Sequence, residues 1–173
     1  MASIARCLRV ARPSGLSAVI KGSAYRTIAV RPFSVTAANA IRRYTKEHEW
    51  IDLSADKKTG IMGISEYAAK ALGDIVYVEL PDEGKEVNAG DTIGAVESVK
   101  SAADINSPVS CKITQVNLLL EEKPGTINQV AEDDSHGGGW IAKVQLTDQG
   151  LNDFEKLMDQ AAYEEFTATE DEH

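Results

Sequence analysis

The side chains able to do chemistry are few and scattered. The three histidines, His48, His136 and His173, share no metal-ligand spacing with one another or with a cysteine. There is no Gly-X-Ser-X-Gly, no phosphate loop and no dinucleotide fingerprint. Gly137-Gly138-Gly139 lacks the Lys-Ser/Thr that a phosphate loop needs and follows no strand, so it reads as a plain flexible loop. The acidic pairs Glu121-Glu122 and Asp133-Asp134 read as solvated surface. The group that remains is Lys100, in a short turn between two strand-like segments. A lysine at such a place is by itself a solvated cation. Its neighbours Ser98, Ser101 and Ala102 are small and leave the amine accessible. An autonomous enzyme is not expected from this inventory.

The elements around Lys100 follow from local pattern. Trp50-Ile51-Asp52-Leu53 and Gly60-Ile61-Met62-Gly63-Ile64 read as a hairpin across a polar turn. Ser65 is a good N-cap, Glu66 suits a first helical turn and Gly73 is placed to end the helix, so 65–72 reads as two helical turns. Residues 74–80 are rich in β-branched and aromatic types and stop at Pro81, a strong strand pattern. Glu86-Val87 leads into the turn Asn88-Ala89-Gly90-Asp91. Strands are expected at 92–96, 103–106, 109–116 and 140–146. Leu151, Phe154, Leu157, Met158, Ala161 and Ala162 recur at helical spacing. The expected fold class is mainly β, a sandwich or flattened barrel with a short helix near 65–72 and a C-terminal helix.

Charge divides the chain of 173 residues. Residues 1–40 hold six basic residues and no acid, whereas 41–173 hold 12 basic and 27 acidic residues, a balance of −15. The first piece is rich in Arg and Ser, and so reads as a mitochondrial transit peptide. Arg31, Phe33 and Thr36, followed by small residues, resemble a two-step processing site that would start the mature chain near Ile41. The remainder is about one domain long. Its charge argues against nucleic-acid and anionic membrane partners. No run of about 20 apolar residues exists, so no transmembrane helix is expected. Removal of the first piece would take Cys7 and leave Cys111 alone, which suits a reducing compartment. The organisation expected is therefore 1–40 transit peptide, 41–166 folded domain, and 167–173 an acidic frayed tail, located in the mitochondrial matrix.

The segment from Gly94-Ala95-Val96-Glu97-Ser98-Val99-Lys100 to Asn106-Ser107-Pro108 resembles the lipoyl-attachment segment of the glycine cleavage system H protein family. Tyr44-Thr45-Lys46-Glu47-His48-Glu49-Trp50 is similar to that family's opening strand. Residues 71–81, Lys123-Pro124-Gly125 and Gly139-Trp140 fit its later elements, so the likeness covers nearly all of 44–166. It implies a lipoyl-type β-sandwich and lipoate joined covalently to Lys100. It also implies an aminomethyl carrier that serves a pyridoxal-phosphate glycine decarboxylase, a folate-dependent aminomethyltransferase and a dihydrolipoyl dehydrogenase. A lipoate-attaching enzyme would modify the chain, which is expected to be a monomer. A hairpin tip suits the task because rigid strands aim one flexible amine outward. The cofactor supplies the reactive sulfur.

By the same resemblance, Glu49 and Asp104 match carboxylates that contact the loaded arm, whose ammonium needs an anionic partner when shielded from water. Three departures limit the likeness. A serine of the family pattern falls at Glu47 and a histidine at Tyr67, so neither role carries over. Cys111 stands where the family usually has Gly, which predicts mild strain and leaves open an exposed thiol near the arm. The alternatives are a lipoyl domain of a 2-oxoacid dehydrogenase complex, a lipoate-relay protein, a biotinyl carrier, and an interaction protein with no prosthetic group.

Overall fold

The structure is a computed structural model that describes residues 41–170. The transit-peptide expectation for 1–40 lies outside the described residues. Nine strands and five helices follow one another along the described chain. Strands β1 (Ile41–Tyr44), β2 (Glu49–Leu53) and β3 (Thr59–Ile64) form an antiparallel meander. Helix α1 (Glu66–Leu72) follows, then β4 (Ile75–Glu79), β5 (Glu86–Val87), β6 (Thr92–Ser98), β7 (Ala102–Asn106) and β8 (Cys111–Val116). Helices α2 (Leu119–Glu122) and α3 (Thr126–Val130) lead to β9 (Ala142–Leu146), and α4 (Asp148–Lys156) and α5 (Gln160–Glu170) close the chain. A six-stranded sheet runs β1-β2-β3-β9-β8-β5, and a three-stranded sheet runs β4-β6-β7. The expected mainly-β sandwich of two antiparallel sheets is borne out.

Burial explains the layering. Val78, Val96 and Ile105 of the small sheet join Ile51, Met62, Ile113 and Val144 of the large one in a single apolar cluster. Burying a side chain of this size stabilises by roughly 1.5–3 kcal/mol. A second cluster joins Tyr44, Trp50, Trp140 and Tyr163. There the Trp50 indole N–H donates to the Ile64 and Ala131 carbonyls, at 2.9 and 3.2 Å. An indole that keeps its hydrogen bonds can be buried without an unsatisfied donor.

Helix α1 forms as its caps predict. The Ser65 hydroxyl accepts from the Ala68 N–H at 3.1 Å, and Gly73 takes φ +80, a left-handed conformation suited to glycine. Ser65 is also fully buried and hydrogen-bonds the Tyr163 hydroxyl at 2.7 Å. The cap thus ties α1 to α5.

Four expectations need correction. The C-terminal helical spacing is split in two, because Leu157 is extended and Met158 pairs with the edge of β1. Tyr44 N–H donates to the Met158 carbonyl at 2.9 Å, and Met158 N–H returns to Tyr44 at 3.0 Å. Satisfying an open strand edge outweighs continuing the helix. Thr167 to Glu170, expected as part of a frayed tail, extend α5, and the rest of that expectation, 171–173, lies outside the described residues. Helices α2 and α3 were not expected as helices. The loop 133–139 is closely fitted rather than free. Gly138 N–H donates to Ser135, Gly139 N–H donates to Val130, and a Cβ on Gly138 would lie 2.0 Å from the Asp133 carbonyl oxygen.

Removing the double role of Ser65 tests this packing. Ser65→Ala is expected to lower unfolding free energy by about 1–2 kcal/mol, the range for a lost N-cap with a buried partner. Urea denaturation checks it, and an unchanged midpoint would contradict the account.

Candidate functional site

Lys100 sits where the sequence places it, on the exposed tip between β6 and β7. The tip is shaped locally by Ser98. Its hydroxyl donates to the Ser101 carbonyl at 3.0 Å and accepts from the Lys100 and Ser101 N–H groups at 3.2 and 3.0 Å. Serine suits such a turn because its short hydroxyl can both accept and donate next to its own backbone. The tip is tied to the body by the Val99 N–H, which donates to the Asp74 carbonyl at 3.0 Å. Among the described residues Lys100 forms no salt bridge. Its side chain instead lies across Gly73, where a Cβ would come 2.8 Å from the Lys100 Cε and 3.2 Å from its Nζ. Glycine at the end of α1 therefore serves two needs, a left-handed cap and space for the lysine.

Glu49 is placed by different means. His48, just before β2, has φ +71, a left-handed turn rarely taken by a residue with a side chain. Its ring is held by a hydrogen bond between Nδ1 and the Tyr163 hydroxyl at 2.9 Å and by contact of Nε2 with Glu170 at 3.2 Å. The turn aims Glu49 at the end of β7, where its carboxylate accepts from the Asn106 N–H at 3.0 Å and from the Thr45 hydroxyl. Glu49 is only 2% exposed. It lines a groove of about 380 Å³ with Tyr44, Asn106, Pro108, Leu157 and Met158. Among the described residues it makes no salt bridge. Burial raises its pKa, and the bonds from Thr45 and Asn106 offset only part of that.

Asp104 is exposed on β7, opposite Ala95, and lines a separate depression of about 250 Å³ with Glu79 and Lys85. The structure thus does not gather Asp104 and Glu49 into one pocket. Asp104 lies in the middle of β7, whereas Glu49 meets the N–H of Asn106 at the end of that strand farthest from the tip. Glu47 lines the groove, whereas the Tyr67 ring packs on the His48 ring at 4.8 Å. Cys111 is fully buried, with Ser107 Oγ 3.6 Å from its sulfur. Burial pushes its thiol pKa up. The exposed thiol left open by the sequence is therefore excluded, because the position faces the core. Sequence reasoning missed Thr45 and Asn106 as partners of Glu49. No side-chain pattern could have found the second, because Asn106 contributes its backbone N–H, which every non-proline residue carries.

The comparisons agree with this geometry. The family model described as "Glycine cleavage H-protein" matches residues 42–170. A "Glycine cleavage system H protein" of Thermotoga maritima is 43% identical over 130 residues, which span 75% of this chain and 98% of that protein. "Glycine cleavage system H protein 2, mitochondrial" of Arabidopsis thaliana is 45% identical over 145 residues, 84% of this chain and 87% of that one. Among solved structures, a glycine cleavage system H protein from Mycobacterium marinum superposes with a TM-score of 0.61 at 35% identity. It covers 76% of this chain and 97% of its own.

The uncompensated Glu49 gives a signed pH dependence. A carboxyl with a raised folded-state pKa holds its proton more tightly folded than unfolded. Stability is therefore greatest below the unfolded value, near 4.5, and falls as pH climbs toward the raised one. Glu49→Gln removes that loss. It is expected to raise the thermal midpoint at pH 8 by roughly 2–5 °C while changing little at pH 4. Parallel pH-dependent slopes for the two proteins would show that Glu49 is not under strain.

Proposed function

The chain belongs to the glycine cleavage H-protein family, and from that premise we propose that it carries lipoate on Lys100 and shuttles an aminomethyl group. As a member of that family it is a non-catalytic carrier subunit. The aminomethyl group would come from a pyridoxal-phosphate glycine decarboxylase and pass to a tetrahydrofolate-dependent aminomethyltransferase. A dihydrolipoyl dehydrogenase would take the electrons, and a lipoate-attaching enzyme would load the lysine. The basic residues 1–40 and the mitochondrial relative support work in the mitochondrial matrix. Among the described residues no helix is long and apolar enough to cross a membrane.

The observation that carries this reading is the setting of Lys100. An amine at an anchored tip, free of carboxylate partners and lying over bare Gly73, fits an acylated lysine. Acylation turns the ammonium into an amide, and no buried carboxylate here loses its counter-ion when that happens. When bound, lipoate supplies the dithiolane sulfur that accepts the carried group and the electrons. The protein supplies presentation and shelter. Asp104, exposed in the middle of β7, can attract the carried ammonium on its path from the tip to the groove. Glu49, buried without a cation, can pair it in the groove, where exclusion of water slows hydrolysis. The raised pKa of Glu49 would fall on pairing, so the carried ammonium relieves the charge that burial penalises.

Intact-mass measurement of the chain from a lipoylation-competent mitochondrial source tests the attachment. One lipoyl-sized increment is expected on the wild type and none on Lys100→Arg. An increment retained in Lys100→Arg, or absent from the wild type, would remove the assignment.

A further inference from the structure

Between α1 and β4 the chain passes through Gly73 and Asp74 only. Gly73 has the backbone freedom of glycine at φ +80, so this junction has little intrinsic stiffness. Yet the Lys100 tip hangs on it twice. The Val99 N–H is bonded to the Asp74 carbonyl, and the lysine methylenes rest on Gly73.

The junction is held from α3. The Asn128 side-chain oxygen accepts from the Ile75 N–H at 2.9 Å, and its amide nitrogen donates to the Gly73 carbonyl at 2.6 Å. These two bonds bracket Asp74 on both sides, as a neighbouring strand would, and leave its carbonyl for Val99. Asn128 is itself placed by the preceding residue, Ile127, which is fully buried in the core. A continuous line of contacts thus runs from the core through Asn128 and the 73–75 backbone to the tip.

We infer that Asn128 is a positioning residue that sets the Lys100 tip for the enzyme that modifies it. This inference rests on Lys100 being the attachment lysine. The side-chain type is demanding. Asparagine offers an acceptor and a donor on one short plane, whereas aspartate lacks the donor and alanine lacks both. Asn128 is exposed, so water can take over the polar groups it leaves. Its removal frees the junction by taking the partner from the Gly73 carbonyl and from the part-buried Ile75 N–H, and the effect is expected at 73–75 and the tip rather than across the core.

The experiment compares wild type, Asn128→Ala and the nearly isosteric Asn128→Asp by amide hydrogen exchange, thermal unfolding and the kinetics of lipoate attachment. Faster exchange at Val99 is expected, by roughly five- to tenfold in Asn128→Ala for loss of the two bonds and by less in Asn128→Asp, which keeps the acceptor for Ile75, with Ile113 and Val144 unchanged. For the lipoate-attaching enzyme, KM for this protein is expected to rise several-fold with kcat kept, because fewer tips are in the competent position. The assignment is overturned if Val99 exchange does not change, or if exchange rises equally at Ile113 and Val144. It is also overturned if KM is unchanged on a wild type that is itself modified. A wild type that is never modified removes the proposed function instead, and Val99 exchange alone then decides the positioning claim.

Discussion

The hydrogen bond from the Val99 amide to the Asp74 carbonyl carries the β4–β6 pairing on into the lysine-bearing tip. The bonds of Ser98 give the tip its shape, but they are all internal to it. Direction has to come from outside, and this bond supplies it. It works because Gly73 and Ile75, on either side of Asp74, are held by Asn128, which follows Ile127 of the core that joins both sheets. The core matters to the site chiefly as a support for this line of contacts.

The second demand is opposite in kind. On the proposed carrier role, the tip has to be open to enzymes, whereas the groove beside Glu49 has to shelter the carried group from water. The protein separates the two along β7, with the lysine near one end and Asn106 at the other. Glu49 is costly to the unloaded protein, since a buried carboxylate with no cation is destabilised by desolvation and only partly repaid by two hydrogen bonds. In this account the cost is reversed on loading, when the carried ammonium arrives. Most of the remaining negative charge of residues 41–173 is solvated and suits steering rather than binding.

Much of this was legible in the sequence because it rests on local signals. Ser65 and Gly73 mark α1, and the hairpin around Lys100 is bounded by its own turn residues. The missed features depend on partners distant in sequence. Nothing in Thr126–Val130 shows that Asn128 will meet Gly73 and Ile75, because the spacing of an isolated asparagine carries no such information. The break at Met158 arises from the free edge of β1, more than a hundred residues away. Gly138 and Gly139 read as loose when they are needed for close backbone approach. The resemblance located Lys100, Glu49 and Asp104 but not that the two carboxylates line different depressions.

The central claim is that this chain carries a glycine-derived aminomethyl group on its arm. The most direct measurement supplies the lipoylated protein and isotope-labelled glycine to a pyridoxal-phosphate glycine decarboxylase, and maps the label by peptide mass. The account predicts label from the glycine methylene carbon on the Lys100 peptide, with carbon dioxide released. Lipoylated protein that stays unlabelled, while a glycine cleavage system H protein is labelled in the same reaction, would contradict it.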